Sequence, residues 1–127
     1  MANQATPPAL ASYDVIFPAF GELTRNVLQP NTWQKKNSKL TLRERELLTL
    51  AVLVITGRND QLRNHIVKAL ERDGFTRDEL GEVFQHLAFY GGWPGAVNAF
   101  NLAKQVYEAQ DAAAKAKQPG RAAAKKK

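Results

Sequence analysis

The chain contains two histidines, and each stands in a segment whose other residues could support proton transfer. His65 follows a strongly apolar segment and the acidic residue Glu46. His86 precedes Tyr90 and the turn-forming residues 91–94, Gly-Gly-Trp-Pro. Imidazole is the side chain best suited to exchange protons near neutral pH, and its surroundings adjust its proton affinity. Both segments are therefore candidates for general acid or base catalysis.

Glu46 lies early in the most apolar predicted helix, where a carboxylate costs free energy unless it is paired. A carboxylate bonded to one imidazole nitrogen fixes the tautomer and leaves the other nitrogen for proton transfer, so Glu46 and His65 could act as a pair. Two plainer interpretations remain open. Glu46 could be a solvated first-turn carboxylate that favours the helix N-terminus, and His65 could be a structural residue beside a buried helix face.

The His86 segment has the composition of a binding-pocket wall. Its two glycines, Gly91 and Gly92, allow close backbone approach or positive φ, and the helix that follows presents N–H groups to an anion. The alternative is a tight turn in which Trp93 only packs. Glu82 and His86 have the spacing of two helical metal ligands, but with no third histidine and no cysteine we predict no metal site.

The apolar periodicity predicts an all-α fold, a compact bundle of about five to six helices. Capping boxes at residues 41–44 and 76–79 mark two of the helix starts. The predicted helices cover residues 13–28 with a possible kink at Pro18, 32–37, 41–56, 60–72, 76–90 and 94–114. The second half of the helix at 41–56 is apolar almost all round, which predicts a buried central helix. We expect a flexible arm at 1–12, a helical domain at 13–114 and a disordered tail at 115–127.

The composition restricts the functional class. With no cysteine the chain has neither disulfides nor cysteine-ligated metal, which is compatible with a reducing cytoplasm. The N-terminus lacks the pattern of a secretory signal, and the longest apolar segment is too short to span a bilayer. We therefore expect a soluble cytoplasmic protein without a membrane partner.

The formal net charge of +6 resides in the C-terminal tail. Residues 112–127 contain six basic and no acidic side chains, so the remaining residues are neutral overall. The tail has no large apolar residue that would offset the entropy of ordering. It also lacks interleaved aromatic residues, which favours a solubilising extension over a nucleic-acid module.

The two histidine segments resemble the carboxymuconolactone decarboxylase family over roughly residues 13 to 110. The motif at 86–94, His-Leu-Ala-Phe-Tyr-Gly-Gly-Trp-Pro, carries the resemblance to the decarboxylase branch. The related alkylhydroperoxidase branch has a Glu followed by Cys-x-x-Cys-x-x-x-His. Glu46 and His65 match that pattern, but Arg58 and Gln61 stand at the cysteine positions. Because dithiol peroxidases need a thiolate, peroxide reduction is excluded.

The resemblance implies an alkylhydroperoxidase-like fold and decarboxylation of 4-carboxymuconolactone to β-ketoadipate enol-lactone, a step of aromatic catabolism through protocatechuate. It also implies a homo-oligomer, commonly a hexamer built as three dimers. The carbon of such a substrate that loses CO2 is vinylogous to the lactone carbonyl, so the electrons released with CO2 can spread onto that carbonyl oxygen. The ring itself is then the electron sink, so no cofactor is implied.

On that resemblance the candidate catalytic residues are Glu46, His65 and His86, either histidine being able to protonate the ring carbon. Backbone N–H groups near Gly92, or His86, would stabilise the dienolate oxygen. The substrate contacts implied are Arg58, or alternatively Arg43 or Arg45, for the retained carboxylate, and Tyr90 and Trp93 beside the leaving carboxylate.

Two rival functions remain open. The chain could be a non-catalytic helical oligomeric module whose basic tail binds an anionic partner. It could also be a related enzyme that acts on another lactone or keto acid.

Overall fold

A computed structural model describes residues 12–118 of the chain. Every regular element within that range is helical, which confirms the all-α prediction. The chain divides between Thr41 and Leu42 into two compact units. The predicted N-terminal arm, except for Ser12, and residues 119–127 of the predicted tail lie outside the described residues.

The N-terminal unit consists of short helical segments. They are α1 (Ser12–Ile16), α2 (Pro18–Leu23), a π-helical segment (Thr24–Leu28) and α3 (Gln29–Asn31). The helix predicted at 13–28 is interrupted at Phe17, whose φ of −145° is not helical, because the residue before a proline is disfavoured in the α region. The helix predicted at 32–37 is wrong, since these residues form turns and Asn37 has a φ of 56°.

The C-terminal unit contains four longer helices. They are α4 (Leu42–Ile55), α5 (Asn59–Glu71), α6 (Arg77–Gly91) and α7 (Trp93–Ala116). Local signals set their ends. Gly57 and Gly74, which follow α4 and α5, have φ values of 68° and 74°, a region that favours glycine. Ahead of α6 the Thr76 hydroxyl accepts the backbone N–H of Glu79 at 3.1 Å, as the capping box predicted.

The hydrophobic core of this unit lies between one face of each helix. Its large, fully buried apolar side chains are Leu50, Leu62, Ile66, Leu80 and Phe84. Burying a side chain of this size contributes about 1.5–3 kcal/mol. Helix α7 faces them with small residues such as Ala99 and Ala103, which allow close helix packing. The short connection around Gly57 makes α4 and α5 antiparallel neighbours, and this pairing positions the candidate site.

Helix α4 buries only one stripe of side chains, Glu46, Leu50 and Val54. Its other large apolar residues with at least a third of their surface exposed are Leu42, Leu47, Leu48, Val52 and Ile55, at 37 to 59 %. The prediction of a buried central helix therefore holds for one face of α4 in the single chain and is wrong for its other faces. Around the connection between α6 and α7, Phe89, Tyr90 and Trp93 are more exposed still, at 61 to 83 %.

Helix α7 has 24 residues and ends at Ala116, slightly beyond the predicted end at Ala114. The first residues of the predicted tail therefore continue the helix. Among the helices within residues 12–118, none is long and apolar enough to cross a membrane.

Candidate active site

Glu46 lies in the second turn of α4, and its side chain is fully buried. Both carboxylate oxygens have partners. Oε1 is 2.6 Å from Nδ1 of His65, and Oε2 accepts a hydrogen bond of 2.9 Å from Nη2 of Arg72. A buried carboxylate without such partners would cost several kcal/mol. The interpretation of Glu46 as a solvated helix-start residue is therefore wrong.

His65 lies at the middle of α5, where its side chain is 15 % exposed. It stands beside Leu62 and Ile66, which are on the buried face of the same helix. An ionised carboxylate only accepts hydrogen bonds, so an ionised Glu46 pairs with the His65 tautomer that carries its proton on Nδ1. The contact fixes the orientation of the imidazole ring.

Arg72, which sequence reasoning missed, completes this cluster from the C-terminal end of α5. Its Nε and Nη2 donate to the two oxygens of Asp73 at 2.7 and 2.9 Å, and Nη2 also donates to Glu46. The hydrogen bond to Asp73 is the main cause that raises the pKa of Arg72, and the charges of Asp73 and Glu46 add to it against desolvation. Glu46, His65, Arg72 and Asp73 are called the Glu46 network below.

One signal in the sequence could have identified Arg72. It follows His65 by seven residues, which is two turns of helix, so both side chains lie on one face of α5. The sequence does not reveal that this face meets the start of α4.

The turn after Arg72 leads to a second polar region. The carbonyl of Gly74 accepts a hydrogen bond of 3.0 Å from Nη1 of Arg43, whose guanidinium lies 3.9 Å from the centroid of the Phe75 ring. Arg43 also forms an ion pair with Glu79. Its charge is therefore already compensated inside the protein.

This second region opens into a cavity of about 560 Å³, called the His86 cavity below. Its lining residues are Arg43, Leu47, Ala51, Phe75, Glu79, Glu82, Val83, His86 and Leu87. The His86 ring is exposed and stacks on Tyr90 with 4.9 Å between centroids and an interplanar angle of 24°. Among residues 12–118, no three His, Asp or Glu side chains group in a way that would hold a metal ion.

The two histidines occupy different places in the C-terminal unit. A further cavity, of about 310 Å³, lies between α6 and α7 around Phe84, Phe100 and Tyr107. His65 lines neither this cavity nor the His86 cavity. The structure thus brings Glu46 and His65 together, and it places His86 with Arg43.

Comparison with known proteins connects this geometry to a family. The sequence matches the carboxymuconolactone decarboxylase family over residues 18–105. The chain belongs to the carboxymuconolactone decarboxylase family. It is also 34 % identical over 91 residues to a 4-carboxymuconolactone decarboxylase from Acinetobacter baylyi, an alignment that covers 70 % of this chain and 67 % of that relative. The Glu46 network and His86 both lie inside the family match.

The remaining residues that the family resemblance implied lie around helix α4. Arg58 is the N-cap of α5, just after the C-terminal end of α4, whereas Arg43 and Arg45 lie in its first turn. A helix of this length spans about 20 Å, so Arg58 and Arg43 are at opposite ends. Arg58 and Arg43 are therefore alternatives for the retained carboxylate of the substrate and not joint ligands of it.

Gly92 and Trp93 belong to the turn between α6 and α7, near the C-terminal end of α4. A Cβ on the adjacent Gly91 would collide with the side chain of Ile55, and one on Gly95 would come within 2.8 Å of the Val54 carbonyl oxygen. Gly92 itself has a φ of 111°, as its place in the turn predicted.

The aromatic residues of this turn lie at the protein surface. The Trp93 ring contacts Phe89 edge to face, with 5.9 Å between centroids, and is 61 % exposed. Tyr90 is 83 % exposed. Trp93 is therefore not an interior packing residue of the single chain, and neither Tyr90 nor Trp93 lines the two cavities.

Proposed function

We propose that this protein is a carboxy-lyase that converts 4-carboxymuconolactone to β-ketoadipate enol-lactone and CO2, a step of protocatechuate catabolism. Membership of the family and the name of the Acinetobacter baylyi relative support this substrate class. The observation that carries the mechanism is the buried Glu46 carboxylate bonded to Nδ1 of a partly exposed His65.

The proposed reaction forms no covalent bond between the protein and the substrate. The bond between the ring carbon and the leaving carboxylate breaks, and its electron pair moves through the ring double bond to the lactone carbonyl oxygen. CO2 departs, and the resulting dienolate takes one proton at a ring carbon. The carboxylate is thus lost from one ring carbon, the double bond shifts, and hydrogen is gained at the ring carbon next to the carbonyl, with one proton consumed per turnover.

His65 is assigned as the source of that proton. Its Nδ1–H is held by Glu46, so a proton carried on Nε2 points along a fixed direction. Glu46 stabilises the protonated ring before transfer, and solvent returns the proton afterwards. Positioned proton donors of this kind typically contribute 10²–10⁴-fold to rate.

A cationic face on α5 supports binding of a dianionic substrate next to His65. Arg58, His65 and Lys68 recur at helical spacing and share one side of the helix. Arg72 follows on the same side, but its charge is already paired with Glu46 and Asp73. Arg58 is assigned to the carboxylate that the substrate retains, because guanidinium binds carboxylates through two parallel hydrogen bonds. Arg58 and His65 are seven residues apart, which is about 10 Å along the helix axis. An extended arginine side chain can reach across much of that distance.

The His86 cavity is the second candidate for the substrate site, because its volume of about 560 Å³ exceeds what a small lactone needs. In that alternative His86 donates the proton. The N–H groups near Gly92 and the side chains of Tyr90 and Trp93 would contact the substrate only from outside the cavity, since none of these residues lines it. Charge disfavours it for a dianion. Glu79 and Glu82 line the cavity, and its arginine is already paired with Glu79.

The direct test is turnover of freshly prepared 4-carboxymuconolactone. We expect loss of lactone absorbance and release of one CO2 per molecule of lactone consumed. Absence of turnover at high enzyme concentration would contradict the proposal and favour a non-catalytic module. Turnover of other lactones or keto acids alone would change the substrate and keep the reaction class.

We also propose that the chain works as a homo-oligomer, with a hexamer of three dimers as the expected assembly. The exposed apolar residues of α4, among them Leu48, Val52 and Ile55, support this because contiguous exposed apolar surface is typical of interfaces. Sedimentation equilibrium over a range of concentrations should give six chain masses. A monomer throughout that range would contradict the assembly.

A further inference from the structure

Arg72 divides the two oxygens of the Glu46 carboxylate between separate partners. Its Nη2 donates to Oε2 of Glu46, while Oε1 faces Nδ1 of His65. The same guanidinium makes two hydrogen bonds to Asp73, whose side chain is fully buried. Nη2 of Arg72 thus donates to both carboxylates, while Nε holds the guanidinium to Asp73.

This arrangement matters because Glu46 is buried without solvent to orient it. A buried carboxylate that lacks a cation tends to take up a proton or to rotate toward another donor. Either change would weaken its preference for accepting the Nδ1–H of His65, and the imidazole could then adopt its other tautomer. A neighbouring guanidinium favours the ionised carboxylate and fixes its plane through a directed hydrogen bond.

We propose that Arg72, anchored by Asp73, is a positioning residue that fixes the Glu46 carboxylate so that His65 keeps the proton on Nδ1. The consequence for turnover rests on the proposed function, because only a catalytic His65 needs a defined tautomer. The consequence for the imidazole itself does not depend on any reaction.

The experiment measures the imidazole nitrogens directly. With 15N-labelled protein, ring-nitrogen chemical shifts report which nitrogen of a neutral histidine carries the proton. Because the chain has two histidines, a His86→Gln spectrum assigns the His65 signals. We compare the wild type with Arg72→Met and Arg72→Lys, and with Arg63→Met as a matched control. Arg63 lies on the same helix but bonds to Gln105 at 2.6 Å.

We expect the Nδ1-protonated form in the wild type and in Arg63→Met, and a mixture of both tautomers in Arg72→Met. Arg72→Lys keeps the positive charge but loses the planar guanidinium with its several N–H donors. It should therefore recover part of the signal of the Nδ1-protonated form. In turnover, Arg72→Met should lose roughly tenfold to a hundredfold in kcat, the usual size for residues that orient a functional histidine. KM should change much less.

Unchanged tautomer populations in a folded Arg72→Met protein would overturn the proposal. If Arg72→Met does not fold, Asp73→Asn provides the same test, since it releases Arg72 without removing the cation. A wild-type imidazole that already carries both tautomers would also overturn it. A tautomer shift in a protein that never consumes the lactone would support the positioning role and contradict the decarboxylase proposal.

Discussion

The Glu46 network and the His86 cavity adjoin the same short turn between α5 and α6, yet they hold their charges in different ways. In the network the side chains of Glu46 and Asp73 are fully buried, and each has a directed partner. In the cavity the ion pair between Arg43 and Glu79 has about 40 % of each side chain exposed. Solvent therefore reaches both members of the second pair, whereas in the network it reaches Arg72, whose side chain is 37 % exposed, but not the two carboxylates.

This difference shows why the larger cavity is not automatically the catalytic site. If the catalytic histidine were chosen by the cavity that it lines, it would be His86. The His86 ring, however, stacks on an exposed tyrosine. If it were chosen by the burial of its hydrogen-bond partner, it would be His65. The Glu46 carboxylate is buried, so it cannot replace its contact with the His65 ring by a contact with water. Proton transfer depends on orientation and protonation state, which the buried carboxylate sets more strictly than an open cavity does.

The largest expected difference between the two regions concerns stability. Glu46→Gln removes a buried charge and leaves Arg72 partly uncompensated, so it should lower the free energy of unfolding by about 3 kcal/mol. Glu79→Gln breaks the exposed pair in the cavity and should cost less than about 1 kcal/mol. Urea unfolding followed by circular dichroism measures both, with the exposed Glu71→Gln as control. Equal losses for Glu46 and Glu79 would contradict the comparison.

The next difference concerns turnover. His65→Gln removes the assigned proton donor and should reduce kcat for the lactone at least about a hundredfold. His86→Gln, the same substitution in the other region, should reduce it by less than about tenfold. Steady-state rates of folded variants decide the matter. A larger loss in His86→Gln would move the substrate to the His86 cavity, and near-normal rates in both variants would remove both histidines from the site.

A smaller effect is expected at the substrate carboxylate. Arg58→Met should raise KM roughly tenfold, because a hydrogen bond between charged groups contributes about 1.5–3 kcal/mol. Arg63→Met removes an equal charge from the opposite side of α5 and should leave KM near normal. If Arg58→Met has no effect while Arg43→Met raises KM, the retained carboxylate binds at the cavity end of α4.

The sequence predicted the helices of the C-terminal unit because their boundaries are set by local signals. Gly57 and Gly74 end two helices, and Thr76 caps a third through a residue three positions away. These effects involve neighbours in the chain. The break at Phe17 also has a local cause, the proline that follows, but the sequence alone did not separate a kink from an interruption.

The sequence predicted the candidate site less completely. The family resemblance paired Glu46 with His65, and the structure brings them into contact. The role of Arg72 depends on the end of α5 meeting the start of α4, 26 positions earlier in the chain. The same holds for α4, whose apolar periodicity predicts burial but does not specify whether this chain or another copy covers each face.

The smallest expected effect concerns the exposed ion pair between Arg77 and Asp111, which serves as a reference for the buried Glu46 network. The pKa of Asp111 is lowered, chiefly by the hydrogen bond from Arg77 and also by the charges of Arg77 and Lys115. Because the folded-state pKa is depressed, the pair is intact above the ordinary value of 3.8 and is lost as the pH falls through the lower folded value.

Arg77→Met should therefore raise the midpoint of the Asp111 titration toward 3.8, which carboxyl 13C chemical shifts measure. In the wild type, 1 M salt should produce a similar but smaller shift of this midpoint. At that salt concentration the screening length is about 3 Å, which is comparable to the distance between the paired atoms. The tautomer of His65 should not respond to the same salt, since solvent does not reach the Glu46 carboxylate. A salt-sensitive His65 tautomer would mean that the network is open to water, and the contrast between the two regions would then be lost.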